Sequence, residues 1–189
     1  MPYRRAGLIA GEYYHIYNRG NNYEPIFFER ENYLYFLRLM SKYLLPEQVE
    51  IVAYCLMPNH YHVLVYLLND SFSKMMQPFL LAYTNAVNRR YKRMGALFQG
   101  RFKARYIGKN EYLLHLSRYI HLNPVKAGLA QRAEDWEFSS YLEYLGLEHG
   151  SLVKPEIVLN QFDSPQAYRL FVEEELREEI PGFSEVLID

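Results

Sequence analysis

The sequence predicts an α+β fold: a ferredoxin-like β-α-β-β-α-β core, an added helix at its C-terminal end, and an acidic helical extension. Three observations carry this reading. Short aromatic and β-branched runs of strand length alternate with longer segments of helical period. Two of the runs flank Pro58-Asn59 directly, as the arms of a hairpin do. The two longer helical segments each lie between runs of strand type, which is the order of a split β-α-β unit.

The elements follow in order. Tyr13–Asn18 (YYHIYN) reads as a strand, and Arg19-Gly20-Asn21-Asn22 as the turn that ends it. Glu29–Leu45 spaces its apolar residues as a helix does, and Pro46 stops it. Glu50–Met57 and His60–Leu68 are the hairpin strands. Ser71 is placed to cap a helix running to about Arg93, with Pro78 marking a kink or a later start. Arg101–Ile107 alternates as a strand with basic residues on one side. Asn110 is placed to cap a helix over Glu111 to about Leu122, which Pro124 ends. Irregular and helical material around Trp136 and Ser139–Leu145 precedes a last acidic helix at about Pro165–Glu179.

The chain has 189 residues, half of them hydrophobic, enough for one domain with a core. A single cysteine, Cys55, excludes an internal disulfide and a Cys-pair zinc site. No apolar run reaches membrane-spanning length, and the N-terminus lacks the apolar stretch of a signal peptide, so the expected compartment is the cytoplasm. The net charge of −1 hides a division. Residues 1–133 carry 18 Lys and Arg against 8 Asp and Glu, whereas residues 134–189 carry 3 against 14. The expected organisation is therefore a basic domain over 1–133 and an acidic helical extension over 134–189, read as a packed subdomain. A basic body with 19 tyrosines suits a polyanion that also presents flat bases.

Three constellations can carry chemistry. His60-Tyr61-His62 puts two imidazoles on one face of a strand, where both can hold one metal ion, with Tyr61 on the other. The bland alternative is two half-exposed histidines. His115, Tyr119 and Asn123 recur every fourth residue along one side of a helix. Arg89, Arg90, Lys92, Arg93, Arg101, Lys103, Arg105 and Lys109 interleave with Tyr91, Phe98, Phe102 and Tyr106, pairing phosphate neutralisation with stacking surfaces.

These motifs, in this order, resemble the single-tyrosine HUH transposases, and within them the REP-associated branch. The resemblance lies in Cys55–Leu64 (CLMPNHYHVL), Phe98–Lys103 (FQGRFK), Tyr119–Leu129 (YIHLNPVKAGL) and Trp136–Tyr141 (WEFSSY). It covers about residues 8–145. It implies metal ligands at His60, His62 and Asn123, a nucleophile at Tyr119, and Mg²⁺ or Mn²⁺ as the ion. It implies a transposase that nicks and rejoins single-stranded DNA at hairpins (REP-like palindromes) through a 5′-phosphotyrosine, as a monomer or homodimer. The eight basic residues are the expected DNA contacts. A non-catalytic hairpin-binding protein on the same scaffold is the competing expectation. Tyr61 departs from the usual aliphatic residue between the two histidines.

Overall fold

The computed structural model describes residues 7–45 and 47–174. Four strands form one antiparallel sheet: β1 Tyr13–Arg19, β2 Val49–Met57, β3 His60–Leu67 and β4 Lys103–Ile107. Their spatial order is β2-β3-β1-β4. Three main helices, α1 Arg30–Leu44, α2 Phe72–Arg90 and α3 Asn110–Lys126, interleave with them, and α4 Tyr141–Tyr144, α5 Glu156–Leu159 and α6 Pro165–Glu173 follow. The mixed α+β class and the ferredoxin-like order are those the sequence predicts. No helix among the described residues is long and apolar enough to cross a membrane.

Alternation along the strands sorts the side chains onto two faces. Tyr14, Ile16, Tyr61, Val63 and Val65 point to one face, where Phe36 and Met40 of α1 and Met76, Phe79 and Tyr83 of α2 complete a core. Tyr61 is fully buried there, its ring 5.1 Å from Phe36, so this face has room for the larger residue. Cys55, Leu64 and Ile107 point to the other face and pack beneath Leu113, Leu116 and Ile120 of α3. The sheet is thus covered on both sides, with α3 alone among the three main helices on the second.

Beyond shifts of one residue at other ends, the elements depart from the sequence reading at α2, at β4 and at both ends of α3. α2 stops at Arg90, short of Arg93, because Lys92 turns left-handed at φ 50°. β4 starts at Lys103, two residues after Arg101. Asn110 is the first helical residue of α3 rather than its cap, and its amide donates to Gln161 Oε1 at 2.6 Å. Pro124 lies inside α3 instead of ending it. The helix closes one turn later, where Gly128 takes φ 68°, Gly128 N donates to Val125 O at 3.0 Å, and Leu129 N donates to Pro124 O at 2.8 Å. That pair of bonds is a Schellman motif, which needs a residue tolerant of positive φ and finds it in glycine. Pro46 and the predicted helix beyond Glu174 lie outside the described residues.

The described part of the acidic segment packs on the same sheet. Leu56 N donates to Phe138 O at 2.9 Å, and Lys154 N donates to Ile51 O at 2.8 Å, which covers the outer edge of β2. Tyr141, Tyr144, Val158, Tyr168 and Val172 extend the core under α3.

Candidate functional site

Strand register builds this site. Across β1 and β3, Tyr17 faces His62 and Arg19 faces His60. Across β1 and β4, His15 faces Arg105 and Tyr17 faces Lys103. Directly opposed residues share a face, so His15, Tyr17, Arg19, His60, His62, Lys103 and Arg105 all stand on the α3 side. The hairpin turn places His60 and His62 at the start of β3, and α3 brings Tyr119 over them. The His60 and His62 rings are 4.9 Å apart between centroids, and His62 and Tyr119 are 5.4 Å apart, edge to face. A cavity of about 370 Å³ opens here. Its walls include His60, His62, Tyr119, Arg19, Arg101 and Lys103.

Hydrogen bonds define what the imidazoles present. Asn59 Nδ2 donates to the Tyr23 carbonyl at 3.1 Å, and a carbonyl can only accept. The amide oxygen of Asn59 therefore faces His60 Nδ1, 2.6 Å away, which must carry the proton. His60 Nε2 is left with its lone pair. His62 Nδ1 lies 3.0 Å from Nε2 of the buried His15. His62 Nε2 is buried without a hydrogen-bond partner. When Nδ1–H of His62 donates to His15, that orphaned nitrogen is a bare lone pair, which is what a divalent cation takes.

Protonation agrees with this. Burial and then the Arg19 charge push His60 down to about 4. Burial, reinforced by His15 and His60, holds His62 well below the ordinary imidazole range. Both are neutral at pH 7, the form that coordinates metal. Among the described residues no group of three or more His, Cys, Asp and Glu is arranged to hold an ion. A cation here would therefore draw on the two imidazoles and on amide or solvent oxygens. Two imidazoles with such oxygens suit a divalent cation and do not by themselves choose among the metals that imidazole accepts.

The remaining predicted residues divide. Asn123 is buried one turn beyond Tyr119, and its Nδ2 donates back to Tyr119 O at 2.9 Å. It is not among the residues that line the cavity. Of the eight basic residues, Arg101 and Lys103 line it. Arg90 is ion-paired with Glu29, and Arg93 lies 3.5 Å from Glu24. The Lys109 ammonium sits 4.9 Å from the centre of the Tyr112 ring. Arg89, Lys92 and Arg105 are exposed. His115 packs against Phe171 at 5.1 Å. His121 is fully buried between Tyr168 and Ser140.

Sequence reasoning missed His15, Arg19, Asn59 and Lys126. Lys126 Nζ lies 5.4 Å from the centre of the Tyr119 ring, a positive charge beside the phenol. Asn59 was visible only as a turn residue, and His15 only as one aromatic in a strand. Their roles depend on the register that brings β1 against β3.

Known proteins are similar to this chain. The family model described as "Transposase IS200 like" matches residues 10–123. A Haemophilus influenzae protein named for the REP-associated tyrosine transposases is 29% identical over 103 residues, 49% of this chain and 58% of that protein. The chain thus spans little more than half the length of this relative. The REP-associated tyrosine transposase of Escherichia coli K12 is 26% identical over 141 residues, 74% of this chain and 81% of that protein. A solved structure of a REP-associated tyrosine transposase bound to a REP hairpin shares the fold, with a TM-score of 0.65 and 22% identity over 82% of this chain and 97% of that one.

Proposed function

This chain belongs to the IS200-like transposase family, and from that premise we propose that it cleaves and rejoins single-stranded DNA at hairpin elements through a phosphotyrosine on Tyr119. The observation that carries the proposal is the convergence of His60, His62 and Tyr119 on one cavity that Arg19, Arg101 and Lys103 also line. In this reading the DNA is a REP-like hairpin handled in the cytoplasm, by a monomer or a homodimer.

His60, His62 and Asn123 would hold the divalent ion. When bound, the ion supplies Lewis-acid polarisation of a phosphate oxygen. The protein does the rest. Arg19, Arg101 and Lys103 neutralise the backbone and hold it in the cavity. The Tyr119 phenol gives its proton to solvent and its oxygen attacks phosphorus. The bond from phosphorus to the 3′ oxygen breaks, and that oxygen leaves as a hydroxyl after taking up a proton. The new tyrosyl phosphate ester conserves the energy of the broken bond for rejoining, which attack by water would not. Lys126, beside the ring, favours the phenolate electrostatically.

One observation favours a second reading, a hairpin-binding protein without turnover: the Asn123 amide is engaged with its own helix. A denaturing gel separates the two. Labelled hairpin DNA incubated with Mn²⁺ or Mg²⁺ is expected to give a slow-migrating covalent species, absent for Tyr119→Phe and for His60→Ala. Binding by native gel without any cleaved or covalent species supports the second reading. Cleavage that survives Tyr119→Phe contradicts the nucleophile.

A further inference from the structure

The segment between β1 and α1 holds two adjacent non-glycine residues in the left-handed region, Asn22 at φ 53° and Tyr23 at φ 61°. A bulky L residue is rarely found there, because Cβ crowds the following carbonyl. The surrounding structure enforces the conformation. Glu24 N donates to Asn21 O at 3.0 Å, and Asn59 holds the Tyr23 carbonyl. A Cβ at Gly20 would stand 1.9 Å from the Glu24 carbonyl oxygen, so the turn closes tightly on a glycine. Strain of this kind is retained where it positions something.

What it positions is the Tyr23 side chain. Tyr23 is 62% exposed as a residue, yet it lines the same cavity as His60, His62 and Tyr119. The Arg19 guanidinium lies 4.2 Å from the ring centre. Arg19 is held in turn by Gln99, whose Oε1 accepts from Nε at 2.5 Å. Packing gives no reason to hold a large aromatic ring at the mouth of a basic cavity. Stacking does, since every nucleobase offers a π face and a guanidinium beside the ring supplies a cation for the attached phosphate.

We propose that Tyr23 and Arg19 form a stacking platform for one unpaired nucleobase of the single-stranded DNA next to the phosphate held at His60 and His62. The inference rests on the DNA-cleaving function given above and names the part of the substrate that this wall of the cavity takes. Asn59 touches both Tyr23 and His60, so the base platform and the imidazole are held by one side chain.

The test uses the full chain and a fluorescein-labelled DNA hairpin with a short single-stranded flank, titrated by anisotropy without metal. A matched set of hairpins carries one abasic site at each flank position in turn. Tyr23→Gly removes the ring and relieves the left-handed strain, so its melting temperature is expected to equal or exceed that of the parent. Its affinity is expected to fall about 5- to 150-fold, the range for one lost base–aromatic stack. Tyr23→Phe keeps the stack and should bind as the parent does. At one abasic position the parent should weaken to the level of Tyr23→Gly, and the variant should lose nothing more. Parent-like binding by a stable Tyr23→Gly overturns the platform. So does an equal loss in Tyr23→Phe, which would assign the contact to the hydroxyl. If the parent binds no hairpin at all, the DNA-cleaving function fails and the platform falls with it, an outcome distinct from binding that ignores Tyr23.

Discussion

Two side chains outside the His-Tyr-His motif decide which nitrogen each histidine presents. Asn59 obliges His60 to carry its proton on Nδ1, and His15 Nε2, 3.0 Å from His62 Nδ1, is placed to accept a proton carried there. Partners of this kind orient a metal-binding imidazole, and their removal typically costs 10- to 100-fold in metal affinity. Asn59→Ala and His15→Leu are each expected to weaken Mn²⁺ binding by about that factor in calorimetry, while His15→Gln, which offers an acceptor at a similar reach, loses less. Metal affinity unchanged in both Asn59→Ala and His15→Leu would contradict these roles. The two histidines were legible in the sequence because a two-residue spacing is the strand period itself. His15 was not, because it lies 47 residues away from His62 and meets it only once the strands pair.

At the scale of elements, α3 is fixed by a buried chain of hydrogen bonds in which His121 is the centre. His121 Nδ1 lies 2.8 Å from Tyr168 Oη, and Nε2 lies 2.9 Å from Ser140 Oγ. Tyr168 donates to Ser117, and Ser117 donates to Leu114 O. Because Tyr168 gives its one proton to Ser117, His121 Nδ1–H donates to Tyr168 Oη, and His121 Nε2 accepts from Ser140 Oγ, whose single proton is shared with the Tyr54 carbonyl 3.3 Å away. α6 and the segment before α4 are thereby tied to the helix that carries Tyr119. Burial pushes His121 down to about 3 from an unfolded value near 6.5. The folded state therefore binds fewer protons than the unfolded one between those values. Its contribution to stability is complete above pH 6.5 and is lost as pH falls toward 3, at about 1.4 kcal/mol per pH unit. Thermal unfolding across pH 7 to 4 should show the decline, and His121→Gln should have a shallower slope; an equal slope would place the proton uptake elsewhere. The order of the main elements was legible, whereas the end of α3 was not. Pro124 is a strong local stop signal, but the packing of α3 on the sheet carries the helix past it to Gly128.

The charge that lines the cavity lies on one side of the sheet. The sequence showed the excess of basic residues over 1–133 but not which of them would be engaged by neighbouring carboxylates. Arg90 and Arg93 are paired with Glu29 and Glu24, while Arg101 and Lys103 line the cavity. Hairpin affinity should fall linearly on a log–log plot against salt. Lys103→Ala should reduce the slope by about one, and Arg90→Ala should reduce it less. Equal effects at the two positions would remove the distinction drawn from the Arg90 ion pair. The central claim is that the phenol oxygen of Tyr119, whose ring lies 5.4 Å from that of His62, becomes joined to DNA. Peptide mass spectrometry of the protein after reaction with a hairpin and Mn²⁺ tests it most directly. The account predicts a nucleotide mass on the peptide that contains Tyr119, localised to that side chain. A nucleotide on any other tyrosine, or cleaved DNA with every tyrosine unmodified, would contradict it.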